Sequence, residues 1–170
     1  DFGCGGGFLL NNLTCKEKVG IEFNDYAREF SVKTNEINCF KSLSEIKNNS
    51  IDVVISNHCF EHTSSPNELI SQLYDKLKLG GKIVICVPLD SRTTKYKAED
   101  INFHLYSFSP MNLGNLLNNN KFRVLSSETL YHKWPPKPKL LFKLLGQRLF
   151  HVLCYLYGRI NKTQTQTVSV

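Results

Sequence analysis

Residues 1–7 read DFGCGGG: an acid, an aromatic, then four glycines in five positions. Glycine adopts positive φ without strain and lets a ligand approach bare backbone. The stretch therefore predicts the end of a strand turning tightly into a ligand-holding loop. Fifteen positions after Gly7, Glu22 ends the next predicted strand, "EKVGIEF". An acid at that place can accept hydrogen bonds from both hydroxyls of a ribose. A third piece, "IDVVISNHCFEH" at 51–62, is an apolar run that breaks into a polar and aromatic cluster. Its apolar part predicts a strand buried on both faces.

Working outward, strand and helix signals alternate. "GFLLNNL" reads as a short helix, and "NDYAREF" as a helix capped by Asn24 or Asp25. "EINCF" is a weak strand and "SLSEIKNN" a helical turn or loop. "SPNELISQLYDKL" opens on Ser-Pro and puts Leu69, Ile70, Leu73 and Leu77 on one face. "LGG" should stop that helix. "KIVICVP" is a second buried strand ended by Pro88, and a polar loop runs from 89 to 108. "SPMNLGNLLNNN" predicts another helix and "KFRVLSSE" another strand. "KWPPKPK" has too many prolines for regular structure. Residues 140–160 predict a long helix interrupted at most at Gly146, and "TQTQTVSV" a last strand. The alternation implies a mostly parallel sheet with helices on both faces. Every loop after a strand then gathers at the carboxyl edge, where ligands bind.

Composition suits one folded domain of 170 residues, 41% of them hydrophobic. The formal charge is +6, and much of the excess is local. No acidic residue follows Glu128, whereas Lys133, Lys137, Lys139, Lys143, Arg148, Arg159 and Lys162 do. The six cysteines show no C-x-x-C spacing, which predicts reduced thiols and a cytoplasmic setting. No apolar stretch is long enough to span a membrane.

Taken in order, Asp1-x-Gly3-x-Gly5-x-Gly7, Gly20-Ile21-Glu22, "IDVVISNHCFEH", "LKLGGKIVICVP" and "HLYSFSPMNLGNLL" resemble the class I S-adenosylmethionine-dependent methyltransferases. The branch they most resemble makes small molecules such as ubiquinone and menaquinone. The resemblance covers residues 1 to 130 as the cofactor-binding core, with 131–170 a basic extension completing the same domain. It implies a Rossmann-like sheet of order 3-2-1-4-5-7-6, S-adenosyl-L-methionine as cofactor and a small-molecule acceptor, oxygen ahead of nitrogen or carbon. In that family a strand leads into the position of Asp1. The expectation is therefore a fragment whose first strand lies largely upstream, and which is cut within its last strand.

The resemblance assigns roles. Gly3, Gly5 and Gly7 would leave room for the methionine part, Asp1 would orient its amino group, and Glu22 would hold the ribose. Leu43 would lie against adenine, and Asn57 and His58 would border the methyl group. An acid that reads the adenine amino group in many members has no counterpart here. His58, His62 and His104 are the catalytic candidates, because imidazole changes charge near neutrality. No metal is expected. His58, Glu61 and His62 are the candidates if one binds, since the ubiquinone-type enzymes carry Glu-x-x-Glu-His where this chain has His58-Cys59-Phe60-Glu61-His62. The favoured reading is a hydrogen-bond network of Glu61 and His62 at a helix start. "SNHCF" stands where amino-methylating nucleic-acid enzymes carry a Pro-Pro motif, so no nucleic-acid partner is expected. The alternatives are a non-catalytic cofactor-binding module and, further off, a nicotinamide-dependent oxidoreductase. The amphipathic carboxyl-terminal helix should pack on the domain or cover its pocket, with peripheral contact to an anionic membrane as the second reading.

Overall fold

The computed structural model describes residues 1–89, 95–160 and 165–170. Lys162, the start of the last predicted strand (163–164) and residues 90–94 of the polar loop lie outside them. The elements are α1 (Phe8–Asn12), β1 (Val19–Ile21), α2 (Asp25–Asn35), β2 (Asn38–Phe40), β3 (Ile51–Asn57), α3 (Pro66–Lys76), β4 (Leu77–Leu89), α4 (Pro110–Asn119), β5 (Ser127–Tyr131), α5 (Pro138–Ile160) and β6 (Thr165–Ser169). Single 3-10 turns sit at Leu43–Glu45 and Phe60–His62.

β1 and β2 pair in parallel, and a second sheet runs β3-β4-β6-β5. β3 and β4 are parallel, while β6 is antiparallel to both β4 and β5. The opening residues join the two sheets. Phe2 bridges Ile21 in parallel and donates its N–H to Ile55 O at 2.8 Å. Ile21 N donates to Asp1 O at 2.9 Å, and Ser56 Oγ to Phe2 O at 2.9 Å. With Asp1–Phe2 in the central place, the order across both sheets is the expected 3-2-1-4-5-7-6. The core packs Phe2, Phe60, Ile70, Leu73, Ile85 and Leu113 between sheet and helices.

Several local expectations change. β3 is not buried on both faces: Asp52 and Val53 are exposed, and residues 50–55 line a cleft of about 560 Å³ that also touches Val19 and Ile21. The reason is that β1 and β3 meet only near Asp1–Phe2 among the described residues, so the amino-terminal half of β3 lacks a neighbour on that side. "LGG" does not end α3, which stops at Lys76. The following residues join β4 through a bulge, with Gly80 at φ +78°. Pro88 does not end β4 either, because it sits opposite Gln166 on β6. The strand expected at 121–128 begins only at Ser127, because Phe122 and Val124 are turned into the core from irregular backbone. No helix among the described residues is long and apolar enough to cross a membrane.

Candidate functional site

The glycine loop leaves the central position and wraps toward the end of β1. Gly3, Gly5 and Gly7 have φ of +74°, +52° and +78°. A side chain on Gly3 would start 2.4 Å from Cys59 Sγ, and one on Gly7 would meet Ile37 at 2.9 Å. These two glycines press the loop onto β3's end and onto the strand after α2. At Gly5 nothing lies within 4 Å of the missing Cβ, so its bare backbone faces open space.

Glu22 is brought directly to this loop. One carboxylate oxygen accepts from Gly5 N at 2.7 Å and the other from Asn24 N at 2.8 Å. Each oxygen keeps a second lone pair, so a diol could still be held. Asn24 in turn caps α2 by accepting from Ala27 N. Asp1 Oδ1 is buried without a hydrogen-bond partner among the described residues. A buried carboxylate oxygen left unpaired is costly, which fits a donor such as an amino group arriving with a ligand. Leu43 is 8% exposed and belongs to the core cluster of Phe2 and Ile21, so little of its side chain remains for a base to rest on.

The second half of the site grows from the end of β3. Asn57 is exposed, and His58 has φ +54°, a strained value for a non-glycine residue. His58 N donates to Cys86 O at 2.8 Å, which fixes the turn. The chain then enters the 3-10 turn that carries Glu61 and His62. Glu61 is fully buried, and neither of its carboxylate oxygens has a hydrogen-bond partner among the described residues. His58 Nδ1 and His62 Nε2 stand 3.6 and 3.8 Å from Glu61 Oε1, within ion-pair range. The hydrogen-bond network expected for Glu61 is therefore not formed. The helix proper starts only at Pro66, and Glu61 points inward beneath the histidines.

His104 completes the group. Leu105 N and Tyr106 N both donate to Glu61 O, at 2.8 and 3.2 Å, and Tyr106 Oη donates to Ser64 O at 3.0 Å. This clip carries His104 to an edge-on ring contact with His62, centroids 5.1 Å apart. Glu61, His62 and His104 each offer a ligand atom, all within 4.8 Å of one another. The family resemblance pointed to His58, Glu61 and His62 for such a set; the fold supplies His104 from 42 residues after His62, a pairing no local signal marks.

Cys59 sits between the two halves, packed against Gly3 of the glycine loop and two residues before Glu61. Its thiol is pushed up to about 12, first by burial and then by the negative charges of Glu61 and Glu22. Burial, then a hydrogen bond with Cys39, raises Cys4 to about 12 as well. Burial, then Glu61, raises Cys86 to about 11. All three are packing thiols, not nucleophiles. All six cysteines are free thiols.

A profile described as a methyltransferase domain matches residues 1–127. A sequence search of curated proteins found no match. Among solved structures, the chain is similar to an S-adenosylmethionine-dependent methyltransferase from Archaeoglobus fulgidus, 22% identical, over 99% of this chain and 83% of that one, with TM-score 0.63. It is similar to phosphoethanolamine N-methyltransferase 2 of Haemonchus contortus, solved with phosphomonomethylethanolamine and S-adenosylhomocysteine. There the identity is 15%, the coverage 100% and 47%, and the TM-score 0.66. It is also similar to the [4+2]-cyclase SpnF, 13% identical over 99% and 72%, TM-score 0.66. At such identities the likeness is one of fold.

Proposed function

Because the chain belongs to the methyltransferase domain family, we propose that it binds S-adenosylmethionine along its glycine loop and transfers the methyl group to a small-molecule acceptor, oxygen ahead of nitrogen or carbon. The observation that carries this is the meeting of two half-sites around Cys59. On one side are Glu22 and the open backbone of Gly5; on the other, His58, His62 and His104 stand over buried Glu61. The unpaired Asp1 Oδ1 suits the ammonium of an amino acid.

When bound, the cofactor supplies an electrophilic methyl carbon on a sulfonium sulfur. The leaving group is already good, so this chain's part is alignment and proton removal. Glu22 would fix the ribose and Asp1 the amino-acid end, which sets the methyl direction. His104 would take the acceptor's proton, and the neighbouring His62 and the buried Glu61 carboxylate would stabilise the imidazolium that forms. The segment 103–106, clipped to Glu61, would exclude water from one side. Glu61, His62 and His104 also have the His₂-carboxylate composition that holds divalent ions with open positions. An ion held there would occupy the two imidazoles and supply Lewis acidity at an acceptor oxygen in place of their proton-taking role.

Titration calorimetry with S-adenosylmethionine, S-adenosylhomocysteine and NAD tests the cofactor. Binding of the first two and not the third is expected, and binding of NAD alone would overturn the reading. Transfer of a labelled methyl group to small-molecule extracts tests turnover. His104→Ala should lower kcat by about 10²–10⁴-fold with cofactor affinity kept. Tight cofactor binding with no transfer to any acceptor would favour the non-catalytic module.

A further inference from the structure

The sequence predicts that the carboxyl-terminal helix hides its apolar face against the domain or over its pocket. The fold does this with one stripe only. In the second half of α5, Phe150, Cys154 and Gly158 are buried, four residues apart. They seat the helix on residues 131–133: Lys133 N donates to Cys154 O at 3.2 Å, and a Cβ on Gly158 would meet His132 N at 2.9 Å. A second apolar stripe runs along the opposite side. Leu156 lies about 200° round the helix from Cys154. With Leu149, Val152 and Ile160 it makes a row that is 52–80% exposed. Before the break at Gly146, where φ is +69° and ψ 172°, Leu140, Phe142, Leu144 and Leu145 are exposed too. A helix apolar on both sides is normally covered on both.

We propose that this outward face of α5 is a docking surface for an anionic lipid bilayer. Charge chooses the occupant. Lys139 and Lys143 share one flank of the first half, four residues apart, and Arg148 and Arg159 border the exposed row of the second. No acidic residue follows Glu128 to offset them. A second copy docked through the same face would bring these cations toward their own equivalents, which opposes a symmetric pair. An anionic bilayer accepts the apolar row and pairs the flanking cations at once. The helix cannot cross a membrane, so it would lie in the interface. Trp134, exposed just before the helix, suits headgroup depth. The inference is independent of the methyl-transfer reading.

The test is vesicle co-flotation of the full chain, with Trp134, the one tryptophan, as fluorescent reporter. Binding to phosphatidylserine-containing vesicles and not to pure phosphatidylcholine is expected, weakening as salt rises, with a blue shift of the emission. Each basic residue near an anionic surface is worth about five-fold, so the Lys139→Gln/Lys143→Gln variant should bind about thirty-fold more weakly. Leu149→Ser/Leu156→Ser should release the protein while its melting temperature holds, since both side chains already face solvent. Absence of flotation, equal binding to neutral vesicles, or flotation unchanged in both variants would overturn the proposal. So would a dimer in sedimentation that Leu149→Ser/Leu156→Ser disperses and vesicles do not compete with.

Discussion

At the scale of single residues, two glycines of one loop carry different burdens. Gly3 combines positive φ with no room for a Cβ, which would run into Cys59, whereas Gly5 combines positive φ with open space. Gly3→Ala should cost about 3 kcal/mol, the sum of left-handed strain and overpacking. Gly5→Ala should cost about 1 kcal/mol of stability but block the ligand face. Denaturant unfolding and cofactor calorimetry, read on both variants, separate the two; equal stability losses would show the contact at Cys59 to be unimportant. Glu22→Ala should weaken S-adenosylmethionine by about 1–3 kcal/mol, and unchanged affinity would remove Glu22 from the site. Among the thiols, exposed Cys15 should react first with iodoacetamide at neutral pH. Cys4, Cys59 and Cys86 are buried or half-buried and held at about 12, 12 and 11, so they should stay unmodified in the folded chain; mass spectrometry after a short pulse reads this directly.

At the scale of elements, α5 has an inner and an outer side that mutation can tell apart. Phe150 packs edge-on against Phe142 and is buried, while Leu149 beside it faces outward. Phe150→Ala should cost about 3 kcal/mol and Leu149→Ala next to nothing, by chemical denaturation. The same seat is pH-sensitive. Burial, and then the neighbouring His151, holds the His132 imidazole below its ordinary value of 6.5. As pH falls, the unfolded chain takes up this proton before the folded one. The stability linked to His132 is thus complete above pH 6.5 and is lost as pH drops through the lowered folded value. Protection from hydrogen exchange in the second half of α5, corrected for the intrinsic pH dependence of exchange, should fall over that interval, and His132→Asn should flatten the response. Unchanged protection across it would mean that His132 takes up its proton equally readily in the folded and unfolded chains.

At the scale of the molecule, the backbone joint between the two sheets rests on four residues. Asp1 to Cys4 hold the β1-β2 sheet to the four-stranded one, and the ring of Phe2 lies between Phe23 and Phe60. The two half-sites sit on different sheets, Glu22 on one and the histidine group on the other, so their spacing is set at this joint. Phe2→Ala should cost about 3–5 kcal/mol and should broaden the thermal transition while weakening cofactor binding. A sharp transition with normal affinity would mean that the sheets register without it.

What the sequence determined by itself was the order of elements and the local features that build the glycine loop and the acid beside it. The glycine loop, the acid ending β1 and the apolar strands are local signals, because each depends on the φ freedom, the capping or the periodicity of neighbouring residues. Tertiary structure decided the rest. His104 meets His62 only because two backbone amides of a loop find the carbonyl of Glu61. Leu43 enters the core because its 3-10 turn faces inward. The outward row of α5 stays bare because only one side of that helix meets β5 and the segment after it. Such contacts join residues far apart in the chain, where no spacing rule reaches, and are fixed by which buried surfaces and polar groups can be satisfied together.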